Sequence, residues 1–463
     1  MLALGACAVP SLDRYLLKES ETRPVLLEGA RGPLTYKQSQ AILEQLKKRS
    51  PETSIFDRHM AIEESIAGNF PLSIGNKVVL LEDGPPTYAS MLAAIRAARH
   101  HVHMETYIFE ADEVGKQFAE VLIERRKAGV QVRLIYDSVG SKNTPRDFFL
   151  GLAAQGIEVV EFNPINPVSV LKDGLRIDNR DHRKLTIVDG RVAFLGGINI
   201  SDVYSRGSMA GAWGWGSFGG SGRTEKDDTP FEKRPWRDTH VRIEGPVVAD
   251  FQRCFLEQWA RQTKLAKLEG KEFFPDLKAE GLHVVRALPG SPDSGLNASY
   301  VTLISAIESA ETQVHIMNAY FVPHQGLREA LKDAARRGVD VSLILPSRTD
   351  SWLAFHAGRS FYEELLEAGV KIYERKTRLL HAKTACVDGV WSTVGSTNLD
   401  WRSLVHNYEL NAIVLGPEFG TQMEASFAKD LANSQRVTLE LWHARSISDR
   451  VREATARMWA YLL

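Results

Sequence analysis

Two histidines and two lysines recur in this chain at matched spacing, and their chemistry suits phosphoryl transfer. His182-Arg183-Lys184 is followed by Asp189-Gly190 and then Gly196-Gly197-Ile198-Asn199. His381-Ala382-Lys383 is followed by Asp388-Gly389 and then Gly395-Ser396-Thr397-Asn398. Every matched position of the second copy lies 199 residues after its counterpart. A neutral imidazole attacks phosphorus to form a phosphohistidine, and a second, protonated imidazole donates to the leaving oxygen. Lysine and asparagine supply positive charge and N–H donors to the non-bridging oxygens as charge builds in the transition state. A lone His-x-Lys means little. Two copies with matched tails point to a duplicated fold in which each half supplies half of one site.

The local elements follow from the same residues. In a strand, residues two apart share a face, so His182 projects with Lys184 and His381 with Lys383. Asp189-Gly190 and Asp388-Gly389 each separate two apolar runs, and Asp-Gly between strands signals a hairpin turn with positive φ at both positions. That spacing gives the two aspartates a turn role and no direct part in bond breaking. The return strands deliver Gly197 and Asn199 in one half and Ser396 and Asn398 in the other, a candidate phosphate cradle in which glycine admits close backbone approach. Each imidazole also needs a partner on its second nitrogen to fix its tautomer. Asp238 and Glu409 are the candidates, because each stands seven residues ahead of a Gly-Pro pair, Gly245-Pro246 and Gly416-Pro417.

The surrounding chain alternates strands and helices as an α/β protein does. In the first half, strands are expected at 78–81, 102–109, 130–136 and 157–161, with helices over 88–99, 114–127 and 146–154. The second half repeats that order with helices over 299–309, 326–336 and 352–367, and strands at 314–321, 339–345 and 370–373. Paired segments support the repeat: Glu105-Thr106-Tyr107 with Asn318-Ala319-Tyr320, and Gly156-Ile157-Glu158-Val159 with Gly369-Val370-Lys371-Ile372. The division expected is a polar lead-in over 1–70, one α/β domain over 71–265, a second over 280–440 and a C-terminal helix over 441–463. A Gly- and Trp-rich insertion over 205–236, with Trp213, Trp215, Phe218 and Trp236, reads as a long loop of the kind that forms functional lids or disordered segments. Val451, Ala454, Met458, Trp459 and Leu462 form a stripe at helical spacing that predicts docking onto the core.

Composition narrows the function. Basic and acidic residues balance, 57 against 58, so no strongly basic domain points to nucleic acid. Three cysteines, Cys7, Cys254 and Cys386, form no disulfide framework and no zinc spacing. No stretch reaches the roughly 18 apolar residues of a membrane span. Leu4-Gly5-Ala6-Cys7 has the small-residue pattern that precedes a lipidated cysteine, without the basic region and longer apolar core of a secretory signal.

The duplicated motifs resemble the phospholipase D superfamily, and within it the bacterial cardiolipin synthases. Further segments carry the resemblance: His103-Met104-Glu105-Thr106-Tyr107-Ile108-Phe109, Trp236-Arg237-Asp238-Thr239-His240, Ala319-Tyr320-Phe321-Val322-Pro323 and Asn398-Leu399-Asp400. It implies two phospholipase D-like α/β domains related by a pseudo-twofold axis, with one active site at their interface. It implies a catalytic set of His182, Lys184, Asp189, His381, Lys383 and Asp388, with His182 as nucleophile and His381 as acid and base; the residues alone do not rank the two histidines. The implied reaction transfers a phosphatidyl group to the primary hydroxyl of phosphatidylglycerol, with no cofactor or metal. Phospholipid substrates, phosphatidylglycerol and also phosphatidylethanolamine, would be met at a membrane surface. Attachment there would be peripheral or through a lipid on Cys7, since many cardiolipin synthases carry two membrane helices that have no counterpart here. Hydrolysis by water of the same phosphohistidine is the alternative reaction, and a nucleic-acid phosphodiesterase a more distant one.

Overall fold

The computed structural model of the protein describes residues 25–48, 53–66, 70–164, 178–205, 234–264, 268–294 and 298–463. Expectations that rest on Cys7, and on Trp213, Trp215 and Phe218 of the insertion, lie outside these residues. Trp236 lies within them.

Each half builds one mixed sheet around its motif hairpin. The first runs Glu158–Phe162, Gln131–Asp137, His101–Thr106, Lys184–Val188, Val192–Gly196, Thr239–Glu244 and Leu72–Glu82. The second runs Ser434–Val437, Lys371–Arg375, Asp340–Pro346, Gln313–Asn318, Lys383–Val387, Trp391–Gly395, Asn407–Leu415 and His283–Gly290. The strand Leu72–Glu82 belongs to both: its later residues pair with Thr239–Glu244, while Ser73, Ile74 and Asn76 pair with His283–Gly290.

Alternation along these strands gives each sheet two apolar faces. One face of each meets the other sheet: Leu185, Ile187, Val241 and Ile243 share a core with Val285, Ala287, Ala412 and Val414. The opposite faces are covered by helices, among them Glu113–Lys127 in the first half and Ala298–Glu308 and Gln325–Arg336 in the second. Two helix-covered sheets packed face to face bring the two motif hairpins together.

Both hairpins turn on the expected dipeptides. Asp189 and Gly190 have φ of 53° and 63°, Asp388 and Gly389 53° and 65°, as a tight turn between right-twisted strands requires.

The structure departs from the sequence reading in three places. The region expected as polar lead-in contains the helix Thr53–Ile66, which packs into the second half through Ile55, Phe56 and Met60. Its Glu63 is buried and accepts from Arg286 at 2.6 Å and from the Trp391 indole at 2.7 Å. Polar residues with specific buried partners hide such a helix from a hydrophobicity reading. The helix expected over 352–367 is two helices, Trp352–Arg359 and Tyr362–Glu367, because the adjacent aromatics Phe361 and Tyr362 enter different core clusters. The single helix expected over 441–463 is the helix Ile447–Arg457 between two short ones, Leu439–His443 and Ala460–Leu462; it does dock, but on the face carrying Glu453 and Ala456, leaving Val451 and Met458 exposed.

Candidate active site

The two motifs are joined by backbone pairing across the halves. Arg180 and Asp181 pair in parallel with Asn407 and Tyr408 of the second half, and the His182 amide donates to the Tyr408 carbonyl at 2.9 Å. The mirror arrangement pairs Arg237 with Leu380, and the His381 amide donates to the Arg237 carbonyl at 2.7 Å. Each motif histidine is thereby seated beside the residue that precedes a carboxylate of the other half.

The side chains cross in consequence. His182 Nδ1 lies 3.1 Å from both carboxylate oxygens of Glu409 and 3.1 Å from the Ser396 carbonyl. His381 Nδ1 lies 2.7 Å from Asp238 Oδ2. With Nδ1 donating to a carboxylate, Nε2 of each ring holds the free lone pair. Both rings line one cavity of about 300 Å³, with Tyr107, Asn199, Trp236, Tyr320, Asp350 and Asn398 among its other walls.

Burial sets the charge states. It holds His182 below the usual imidazole range against the opposing pull of Glu409. Burial and the ammonium groups of Lys383 and Lys184 hold His381 well below it. Burial pushes Asp238 up to about 6. Glu409 is also buried, but His182 and Lys184 outweigh that and hold it below the usual carboxylate value. So both rings are neutral near pH 7, one beside an ionised carboxylate and one beside a carboxyl that exchanges protons near neutrality.

Lys184 and Lys383 sit symmetrically, each ammonium donating to the carbonyl of its own motif histidine at 2.5 Å. Burial lowers Lys184 to about 7 and Lys383 to about 8. Lys184 lies 5.3 Å from the centre of the Tyr107 ring and Lys383 5.9 Å from that of Tyr320. A phosphodiester anion arriving beside them would favour their charged forms.

The expected phosphate cradle is narrower than its motif. Asn199 and Asn398 reach the cavity; Asn199 is held by the Ile108 amide at 3.1 Å and the Tyr204 hydroxyl at 2.8 Å. Ser396 and Gly197 do not line it. The Ser396 hydroxyl donates to Glu409 and accepts from the Leu410 amide at 3.0 Å, so it braces the carboxylate that holds His182. At Gly197 a Cβ would fall 2.1 Å from Asp238 Oδ1, so glycine is needed there to admit the carboxylate that holds His381.

Asp189 and Asp388, grouped with the catalytic set by the motif, stand in the turns and away from the cavity. Asp189 accepts from the amides of Arg99, His100 and His101 at 2.7–2.9 Å. Asp388 accepts from Thr312 at 2.7 Å and Gln313 at 3.1 Å, and from His59 Nε2 at 3.0 Å. Though burial opposes it, the His59 hydrogen bond and the backbone donors lower Asp388 to about 2. Both carboxylates tie the hairpin to the start of a neighbouring strand.

Several cavity residues carried no assignment from the sequence. Tyr107 and Tyr320 were visible as a matched pair in the repeat, and their rings stand 5.0 Å from His182 and 6.1 Å from His381. Trp236, in the segment that leads to Asp238, lies 5.2 Å from His381. Asp350, Arg180 and Arg402 come from segments with no repeat signal. His101 and His103 are core residues stacked on each other and shared with Gln252.

Comparison with known proteins agrees with this geometry. The family described as "Cardiolipin synthase, PLD-like domain" matches residues 91–207 and 303–431, one segment in each half. The cardiolipin synthase of Halalkalibacterium halodurans is 33% identical over 423 residues, which cover 91% of this chain and 78% of that one. The cardiolipin synthase of Alkalihalophilus pseudofirmus is 34% identical over 421 residues, with the same coverage of both chains. Among solved structures, phosphatidylserine synthase of Haemophilus influenzae superposes with a TM-score of 0.63 at 13% identity, covering 88% of this chain and all of that one, a likeness of fold. The duplicated motif, the crossed site and these relatives place the chain in the cardiolipin synthase family of phospholipase D-like enzymes.

Proposed function

We propose that the protein is a phosphatidyltransferase that joins a phosphatidyl group to the primary hydroxyl of phosphatidylglycerol, forming cardiolipin. The observation that carries this reading is the pair of crossed histidine–carboxylate contacts opening on one cavity beside two buried lysines. In the first step His381, which takes a proton on Nε2 when the phosphodiester anion enters beside it, gives that proton to the headgroup oxygen as His182 Nε2 forms a bond to phosphorus and the bond to that oxygen breaks. Ionised Glu409 supports the charge that builds on the His182 ring, which favours His182 as nucleophile. In the second step neutral His381 takes the proton of the acceptor hydroxyl, whose oxygen attacks phosphorus as the bond to His182 breaks. Lys184, Lys383, Asn199 and Asn398 serve the non-bridging oxygens throughout.

The substrates are membrane lipids on this reading, and the protein works at a membrane surface to which it attaches peripherally. Among the described residues no helix is long and apolar enough to cross a membrane. The test is product analysis by mass spectrometry, with purified protein on phosphatidylglycerol vesicles, with and without phosphatidylethanolamine, and His381→Ala as control. Cardiolipin that disappears in the variant is the expected result, and the released headgroup names the donor. Phosphatidic acid as the sole product would make the enzyme a hydrolase.

A further inference from the structure

The C-terminal helix Ile447–Arg457 is docked with its apolar stripe turned away from the protein. Ile447, Val451, Ala454 and Met458 recur at the spacing of one helical face, and all four are exposed. Ile447 is 80% exposed and Met458 74%. The face that meets the protein carries Glu453 and Ala456. Glu453 pairs with Arg359 and Arg445, while Ala456 packs with Ala354 and Ala357. An ion pair and small side chains thus hold the helix, and its larger apolar groups are left in water. Five of the fourteen exposed large apolar side chains of the described residues fall between Ile447 and Tyr461.

This surface adjoins the catalytic cavity. Leu463, a few residues beyond the helix, lines the cavity, and its carbonyl accepts from the Arg402 amide at 2.7 Å. The helix Trp352–Arg359, on which the C-terminal helix packs, contributes Ala354 to the cavity and carries Trp352, 52% exposed, at its start. Exposed Arg450 and Arg457 flank the stripe on one side, while Arg452, on the other, is ion-paired with Asp449 at 3.4 Å. The helix has two carboxylates, Asp449 and the internally paired Glu453. An outward apolar stripe bordered by arginines, with tryptophans at its edge, matches the headgroup boundary of an anionic bilayer.

We propose that this stripe is the surface on which the protein docks to an anionic phospholipid bilayer, bringing the cavity mouth to the lipid. The proposal rests on the phosphatidyltransferase reading for its substrate and adds the docking element. Like charge from Arg450 and Arg457 along one flank disfavours a second copy as the occupant.

The test measures sedimentation of the full chain with phosphatidylcholine vesicles, with and without phosphatidylglycerol. The combined variant Ile447→Ser, Val451→Ser, Met458→Ser should bind vesicles at least about tenfold more weakly. The variant Arg450→Gln, Arg452→Gln, Arg457→Gln should lose the preference for phosphatidylglycerol. Both should turn over a short-chain, monomeric lipid at the parent rate, which shows that they fold. Undiminished vesicle binding by the serine variant overturns the proposal. So does light scattering that shows a dimer broken by the serine substitutions while vesicle binding persists. Failure of the parent protein on the short-chain lipid would count against the phosphatidyltransferase reading alone, since vesicle binding is read separately.

Discussion

His182 and Glu409 lie 227 positions apart in sequence and in opposite halves of the fold, yet the histidine Nδ1 sits 3.1 Å from the carboxylate. The mirror contact joins His381 to Asp238. Neither motif histidine finds its carboxylate partner within its own half, so the two sheets must pack face to face before either imidazole is oriented.

Replacing Glu409 with Gln, or Asp238 with Asn, should lower kcat by about 10²–10⁴-fold. The specific signature is spectroscopic. Glu409→Gln should move the hydrogen-bonded Nδ1–H proton resonance of His182 upfield, because only neutral acceptors remain there, and leave that of His381 in place. Asp238→Asn should do the reverse. A shift of the same-half resonance in either variant would contradict the crossed pairing.

Gly197→Ala places a methyl group where Asp238 Oδ1 now lies. Displacing that carboxylate should cost about 100-fold in kcat, with KM little changed because Gly197 does not line the cavity. A rise in KM at unchanged kcat would show that the glycine contacts substrate after all.

Asp189→Asn and Asp388→Asn should destabilise the fold by about 1–3 kcal/mol each. Asparagine tolerates the positive φ of the turn and removes only the charge that the backbone amides surround. Asp388 should show the larger drop in melting temperature, because it also holds His59. Its carboxyl is lowered to about 2, so its contribution is present above the unfolded value near 4 and is lost as pH falls toward 2. A collapse of kcat at unchanged melting temperature in either variant would return these residues to the chemistry.

The pH profile of kcat/KM should be a bell. Its acid limb lies near pH 6, where Asp238 gains a proton and stops accepting from His381. Its basic limb lies near pH 7–8, where Lys184 and Lys383 lose their charge. In kcat the basic limb should move up, because bound phosphate favours the charged lysines. A basic limb at the same pH in both parameters would mean that the lysines do not face the phosphate.

The sequence carried much of this site and little of its wiring. Matched offsets identified His182, His381, Asp238 and Glu409 as equivalents, and Asp-Gly pairs located both turns. Equivalence does not state which carboxylate meets which imidazole; that depends on the pairing of Arg180 and Asp181 with Asn407 and Tyr408, a contact with no local signal. Ser396 and Gly197 read as phosphate donors because their types suit an anion, whereas the anion each meets is a carboxylate of the protein. The stripe of Val451 and Met458 was legible as a helical face, but periodicity does not tell what a face will cover. Here an ion pair through Glu453 fixed the opposite face to the core.

The most direct test of the central claim is to catch the covalent intermediate. The enzyme turning over short-chain phosphatidylglycerol would be quenched in denaturant at mildly alkaline pH, which preserves both phosphohistidine and the acyl esters, and its peptides analysed by mass spectrometry. A phosphatidyl adduct on His182 is the expected result, strongly reduced in Glu409→Gln although that substitution lies in the other half. Continued turnover with no adduct on either motif histidine would contradict it.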